Sequence, residues 1–540
     1  MIKEHDLKVI LKGREPEPPE KVLIEKGADL AKVLRKALDS ATFETPILLS
    51  TQPGTGKTHG VLHGILPWAM EHDMKLLYVS SRTAINTQTK EQLIDITGQE
   101  QLKEELTREG IRRKTDFGPV TVVTYHKLYQ LMVTDPQSLS GYGIFVFDEV
   151  HALVEDAMYV GFTEHVLQGI DEYFTGKLRV YMTATPDRIL PRLMEMEASL
   201  RMRVIHMPRD YSYVVPHFFS QNADIINKIN ADTSSAKWLV FMPSIKQGEK
   251  FAAELKCSYC MLNAEERAAN PEKWYKVLDQ EMFEEKICIV TAVVDAGVNF
   301  HDDQLKNVVI YSISPVTFTQ VLGRKRKKPG ETLHMYVHCP APADMEARLK
   351  RNLDTQSACR SFYDHKARFL QENILAPTDM DLRSLMYVYP DGGLEPNKLA
   401  LAYLEDEEAL LENYLKYSKE HNKDPYCFDR FVARWLFLHL PPRSECWLDE
   451  QFTGTGRREF IRFLESCCGH EMSDTAFTRF ASDFQKRCIV AFGKAAGGKD
   501  RDDRNWGIQK INNKLAEHQL PYRVELDNVN KVYSLVQQAQ

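Results

Sequence analysis

The chain lacks any apolar run long enough to cross a bilayer. The longest candidates, such as Trp435-Leu436-Phe437-Leu438, are cut short by charged or proline residues, far below the ~20 residues that a spanning helix needs. It also lacks an excess of positive charge. With 69 Lys and Arg against 76 Asp and Glu, the formal net charge is −7, so any grip on nucleic acid must come from local basic strips. Among its 10 cysteines, Cys257 and Cys260 form a C-x-x-C pair and Cys467, Cys468 and His470 cluster. Neither group has the second, matched ligand pair of a zinc site, and free reduced thiols are expected. His-Asp pairs at 5–6, 72–73 and 301–302 come without the further His and Asp of a nuclease metal set. The polar start Met1-Ile2-Lys3-Glu4-His5-Asp6 is not a secretion-signal pattern. The expectation is a soluble protein of the cytoplasm, or of the nucleus, with no membrane partner.

What is present is ordinary globular material. The 540 residues are 43% apolar and 27% charged, enough for about three to four domains. One stretch organises the chain: Thr51-Gln52-Pro53-Gly54-Thr55-Gly56-Lys57-Thr58, between an apolar strand at 46–50 and a helix running toward Trp68. Strand, glycine turn, then Gly-Lys-Thr opening a helix is the layout of a phosphate-binding loop. Gly54 and Gly56 let backbone N–H groups turn inward, with Thr55 between them, and the helix N-terminus adds its positive dipole end. Lys57 is placed for the β- and γ-phosphates of ATP, and Thr58 for Mg²⁺. The first glycine of the usual pattern is replaced by Thr51.

A second constellation follows at 144–151, where Ile-Phe-Val-Phe runs into Asp148-Glu149-Val150-His151. An acidic residue at the tip of a neighbouring buried strand holds Mg²⁺ opposite Thr58, which assigns Asp148. Glu149 is then placed to polarise the attacking water. Further near-continuous apolar strands, at 75–81, 120–124 and 178–182, indicate a parallel sheet covered on both faces, with ligands at the strand carboxyl ends.

Asp148-Glu149-Val150-His151 resembles the DExH box of superfamily 2 helicases and translocases, and other segments follow in that family's order. Arg82 to Gln88 looks like motif Ia, and Val123-Thr124-Tyr125 like the strand end after it. Thr183-Ala184-Thr185 is similar to motif III, which links nucleotide state to the nucleic-acid side. Residues 237–244 resemble motif IV. After a strand at 286–291, the segment from Ala292 through Gly297-Val298-Asn299-Phe300 looks like motif V, with Asn299 where the family often has Asp. Gln320-Val321-Leu322-Gly323-Arg324-Lys325-Arg326-Lys327 resembles motif VI, Q-x-x-G-R-x-x-R, with Lys327 at the place of its last Arg.

The resemblance implies two tandem RecA-like α/β domains with ATP between them, and an ATP-dependent helicase or translocase. Gln320, Arg324 and Arg326 are then expected to serve catalysis from the second domain, and Gly297 and Asn299 to meet the nucleotide. His151, Thr183 and Thr185 are the expected coupling residues. Arg82, Thr83, Thr124 and Thr291 are the nucleic-acid contacts implied by the family, with DNA slightly favoured over RNA. The rival expectation is an ATP-switched replication initiator or assembly factor with little or no unwinding.

The expected division is 1–45, an extension with an amphipathic helix; 46–215 and 216–342, the two RecA-like domains; and 343–540, a mainly helical domain. In the last part, helices are expected at 344–373, 399–421, 429–440, 457–468, 473–492 and 506–518, then strands at 522–526 and 531–536. A helix followed by a hairpin suggests a winged-helix-like end, with Lys510, Lys514, Arg501 and Arg504 as candidate phosphate contacts; a plain helical accessory domain is the other expectation.

Overall fold

Apolar strands of four to six residues, each followed by a turn and a helix, fit a parallel sheet buried on both sides. The computed structural model contains two such sheets. It describes residues 19–537 apart from 43–44, 82–86, 175, 198–200, 292–298, 366, 369–370, 372–385, 389–393, 422–426, 450–454, 493–505, 519 and 528–530. Arg82, Thr83, Gly297, Arg501 and Arg504 lie outside the described residues.

The first sheet uses β1 (Glu20–Leu23), β2 (Ile47–Ser50), β3 (Leu76–Ser80), β4 (Val120–Thr124), β5 (Ile144–Phe147), β6 (Leu178–Thr183) and β7 (Arg203–His206). Their order is β1-β7-β2-β6-β5-β3-β4, with every pair parallel. One face is covered by α1 (Leu30–Asp39) and by α2, residues 57–71. Asp29 starts α1 by accepting the Ala31 N–H at 3.0 Å, and Leu30, Leu34 and Leu38 point inward. Within α2 a π-turn, Val61–Ile65, stands just before Pro67, whose ring has no N–H to give the α-helical ladder. The other face carries α3 (Tyr125–Thr134), α4 (Ala152–Glu155) and α5 (Thr163–Phe174).

The second sheet uses β8 (Val214–Phe219), β9 (Lys237–Phe241), β10 (Tyr259–Leu262), β11 (Ile287–Val290), β12 (Leu305–Ile310) and β13 (Leu333–His338). Its order is β10-β11-β9-β12-β13-β8, again all parallel. α6 (Asn222–Asn230) covers one face, and α7 (Pro315–Arg324) the other. Two RecA-like sheets in tandem are the expected fold.

Three strands escape the periodicity argument. β1 and β7 have only four residues each, and Leu23 is 74% exposed. β1, at the edge, is wetted on one face, and β7 buries only Val204 and Ile205 between the polar Arg203 and His206, so neither leaves an apolar run. The stretch 20–39 is therefore part of the first sheet and its cover instead of an outlying extension. β8 contains Pro216, which hides it as a strand; it is the edge strand beside β13, where a missing N–H is tolerated. The expected boundary between 215 and 216 thus falls inside a strand of the second sheet.

After β13 comes α8 (Pro342–Asp364); the expected helix end at 373 lies outside the described residues. A hairpin of β14 (Met386–Val388) and β15 (Leu394–Pro396) leads to α9 (Lys398–Glu420). α9 is 23 residues long, about 35 Å at helical rise. Its first turns place Leu399, Ala400 and Leu404 in the core of the first sheet. Its later turns place Leu411, Tyr414 and Leu415 in the core of the second. α8 does the same in reverse, with Met345 in the second core and Cys359 in the first. A buried polar seam sets their register. Asn352 Nδ2 donates to Leu404 O and to Glu407 Oε2, both at 3.0 Å, and Arg348 Nη2 meets Glu407 Oε1 at 2.6 Å.

α10 (Phe428–Trp435) is shorter than the expected 429–440. The last module runs α11 (Thr455–Cys467), β16 (Glu471–Met472), α12 (Asp474–Phe492), α13 (Ile508–Glu517), β17 (Tyr522–Asp527) and β18 (Val532–Gln537). Its antiparallel sheet has the order β16-β18-β17. Helix, strand, two helices and a hairpin is the winged-helix order, closed over its own aromatic core of Phe460, Phe480, Phe484 and Trp506. Among the described residues no helix is long and apolar enough to cross a membrane, and all ten cysteines are free.

Candidate active site

β2 ends in buried Ser50, and the loop after it turns on two glycines in the left-handed region, Gly54 at φ 82° and Gly56 at φ 93°. The residue in place of the usual first glycine needs no such freedom. Thr51 is buried, and its hydroxyl accepts from Thr55 Oγ1 at 2.9 Å; the same hydroxyl hydrogen reaches Gln52 O at 2.8 Å. The substitution thereby closes the loop on itself. Lys57, 8% exposed, lies between Thr51 O at 3.4 Å and Glu149 Oε1 at 3.6 Å.

Thr58 and Asp148 meet at one point. Tyr78, in β3, donates its hydroxyl proton to Asp148 Oδ2 at 2.5 Å, and Thr58 stands near the same hydroxyl. A hydroxyl and a carboxylate converging there are the hard oxygen donors that Mg²⁺ takes, so the residues fit the ion. Burial, with the charge of Glu149, pushes Asp148 up to about 6 against the pull of Lys57 and Tyr78. Glu149 goes the other way. Burial acts to raise it, but Lys57 above all, with Arg324, outweighs that and holds it below the ordinary carboxylate value. Two adjacent carboxylates are thus split into a protonatable one and an ionised one. Glu149 sits at φ 49°, a costly conformation for a residue with a side chain.

The second domain reaches this pocket through α7. Gly323 lies so close to the loop that a Cβ there would stand 2.2 Å from Pro53 Cβ. Beyond it, Arg326 Nη1 is where a Cβ on Gly54 would come to within 2.5 Å. Arg326 also donates from Nη2 to Asn299 Oδ1 at 2.7 Å and from Nη1 to Gly323 O at 3.1 Å. Burial, with Arg324 beside it, lowers Arg326 to about 10, so it stays charged at neutral pH. The other cations of this run turn elsewhere. Lys325 is buried on Asp302 O at 2.7 Å, Lys327 lies 4.2 Å over the Tyr213 ring, and Lys328 pairs with Asp303.

A chain of polar contacts joins the two domains. Gln320 Nε2 lies 3.3 Å from His151 Nε2 and His151 Nδ1 lies 3.0 Å from Thr183 Oγ1. Since the amide nitrogen is a donor, Nε2 accepts and the ring proton sits on Nδ1. Burial lowers His151 and keeps it neutral. Thr183 Oγ1 also accepts the Thr185 N–H at 3.0 Å, and Arg324 Nη2 donates to Gln320 Oε1 at 3.3 Å. Thr185 Oγ1 is buried with no hydrogen-bond partner among the described residues. Four sequence-predicted segments are thereby in one connected cluster.

Thr124 and Thr291 are not in it. Thr124 Oγ1 caps α3 by accepting the Lys127 N–H at 3.1 Å, and Thr291 is buried after β11. The cluster also holds residues that sequence reasoning passed over. Tyr78 is a lone polar tip in an apolar strand, and only strand register brings it to Asp148. Gln52 exchanges two hydrogen bonds with the Asp210 backbone, at 3.1 and 2.8 Å, tying the phosphate loop to the 207–213 link between the sheets.

Gly323→Ala is the sharp test of this docking. The added methyl cannot fit against Pro53, so the loop and α7 must separate. ATPase should fall by at least tenfold while the melting temperature moves little, because the contact lies between domains. An alanine variant with unchanged turnover would show that the Pro53–Gly323 approach is dispensable.

Residues 22–188 match the family described as "Type III restriction enzyme, res subunit". No curated protein sequence matches the chain. Among solved structures, the DEAD-box helicase Mss116 bound to ssRNA and UDP-BeF is similar at 12% identity, covering 76% of this chain and 99% of that one, with a TM-score of 0.46. The DUF1998 helicase MrfA bound to DNA and AMPPNP is similar at 14% identity, covering 68% and 57%, with a TM-score of 0.41. A DEAD box protein from the hyperthermophile Methanococcus jannaschii is similar at 14% identity, covering 59% and 88%, with a TM-score of 0.33.

Proposed function

We propose that the chain is an ATP-dependent helicase or translocase of superfamily 2, hydrolysing ATP with Mg²⁺ where α7 meets the phosphate loop and moving along nucleic acid as it does so. The contact of Arg326 with Gly54 carries this reading, because it brings a cation of the second domain onto the phosphate-binding turn. Bound Mg²⁺ supplies charge neutralisation on the phosphates, and Thr58 and Asp148 are the residues that hold it. Lys57 leaves Thr51 O for the β- and γ-phosphates. Glu149, kept ionised by its cationic neighbours, takes the proton of the attacking water. Arg324 and Arg326 face the charge that develops on the transferred group.

The chain Gln320–His151–Thr183 gives this chemistry a route outward. A change at the γ-phosphate alters what Arg324 and Glu149 contact, and each touches a member of that chain. Thr185, with its unfilled hydroxyl, is the position that gains a partner in the other state. Nucleic acid is gripped chiefly through phosphates and so with little sequence preference. DNA is favoured over RNA on the ground that the last module has the winged-helix order of duplex-DNA readers. ATPase rates against single-stranded DNA, duplex DNA and RNA at two salt concentrations test the proposal. Turnover indifferent to all three would leave an ATP-driven switch.

The last module makes a separate prediction. Lys510 lies 4.8 Å over the Trp506 ring and Lys514 pairs with Glu517 at 2.7 Å, so both are held on the module's own surface. Removing residues 455–540 should lower duplex affinity and flatten its salt dependence, with the ATPase measured without nucleic acid retained. Unchanged affinity and salt slope would make the module a plain accessory domain.

A further inference from the structure

α10 ends in a way that its sequence does not favour. Leu438 N–H reaches back to Ala433 O at 2.9 Å and Phe437 N–H to Arg434 O at 3.5 Å. That is the paired closure of a Schellman turn, with Phe437 at the residue just past the helix. The position calls for a left-handed backbone and is usually Gly. Phe437 adopts φ 52° there and leaves its ring 77% exposed. A bulky aromatic at positive φ is unfavourable, and an exposed ring adds nothing to the core.

The surroundings are basic. Arg430 and Arg434, four residues apart and leading to Phe437, share an exposed helix face. Neither is in an ion pair among the described residues, and Arg430 Nη1 rests on Tyr417 Oη at 3.1 Å, at the end of α9. Two guanidinium groups beside an unburied ring match a single strand of nucleic acid, with phosphates on the cations and a base on the ring face. α10 in turn lies on α7, where the Trp435 and Phe318 rings are 5.8 Å apart. A strand held here therefore bears on the helix that carries Gln320 and Arg324.

We propose that Phe437, with Arg430 and Arg434, is a stacking platform for single-stranded nucleic acid on the α10 surface. This rests on the reading that the chain binds nucleic acid. A strand leaving the two sheets finds here one base-stacking contact and two phosphate contacts, at a fixed distance from motif VI.

The conformation itself supplies the test. Phe437→Gly removes the ring and also relieves the strained backbone, so the fold is preserved or stabilised. Anisotropy of a labelled 20-nucleotide oligo(dT) would be measured with the full chain. The glycine variant should bind about fivefold to a hundredfold more weakly, the value of one stacked base, with an unchanged or raised melting temperature and unchanged ATPase in the absence of nucleic acid. Phe437→Trp should restore binding. Replacing Arg430 and Arg434 together by Ala should reduce the slope of log K against log salt by about 1.4. Equal affinity of Phe437→Gly and the native chain overturns the platform and leaves the nucleic-acid reading intact. A native chain that binds no oligonucleotide overturns both. Unchanged oligonucleotide binding with a change in self-association would make the ring a protein contact, which also overturns the proposal.

Discussion

Glu149→Gln should bind ATP as the native chain does and turn it over about 10²–10⁴-fold more slowly, the usual worth of a positioned base. The amide keeps the size and the φ 49° setting of the side chain but cannot take a proton. Lys57→Ala should behave differently. It removes a phosphate contact, so binding and turnover fall together. It also removes the largest charge holding Glu149 low, so whatever turnover survives should shift its acid limb to higher pH. The sign follows from that loss. With Lys57 present the carboxyl is ionised above a depressed pKa; without it the base must be deprotonated at a higher pH before it acts. Turnover in Glu149→Gln near the native rate would remove Glu149 from the chemistry.

Arg326→Ala and Lys327→Ala should be far apart. The family spacing puts the second cation at 327, yet Lys327 lies over Tyr213 and Arg326 lies on the phosphate loop. An arginine that meets transition-state charge is worth about 10³–10⁵ in rate. Arg326→Ala and Arg324→Ala should each lose a factor in that range, and Lys327→Ala less than tenfold. Arg326→Lys should rescue only in part, since an ammonium has one point of charge where guanidinium has a planar fork. A dead Lys327→Ala beside a near-normal Arg326→Ala would reassign the finger to 327.

Much of this was legible because the chemistry sits behind fully buried strands. β2, β5 and β6 are buried from end to end and mostly apolar, so each announces both a central strand and the polar residues at its tip. β1, β7 and β8 were not legible, because β1 is wetted on one face, β7 has two apolar residues between polar ends, and β8 contains a proline that only an edge allows. At the site, Lys57, Asp148 and Glu149 follow from local pattern. The choice between Arg326 and Lys327 does not, since one residue of register after Gly323 decides which cation faces the loop. Tyr78 had no signal at all. Its role comes from the pairing of β3 with β5, a long-range fact that no window of sequence contains. Phe437 was hidden by its neighbours, because an apolar run predicted more helix where the backbone instead turns.

The antiparallel pair α8 and α9 has a thermodynamic consequence. Two domains joined only by residues 207–213 would search for one another, and motif VI would reach the phosphate loop for a fraction of the time. A ligand that needs both sides would bind more weakly by that fraction. Helices rooted in both cores raise the effective concentration of α7 at Pro53, as a short stiff linker does for a second binding module. The ordering entropy of assembling the cleft is then met largely during folding. Nucleotide affinity is left to report on the phosphate contacts themselves, and a strand of nucleic acid has less to gain by clamping the domains than by shifting the polar chain from Arg324 to Thr185.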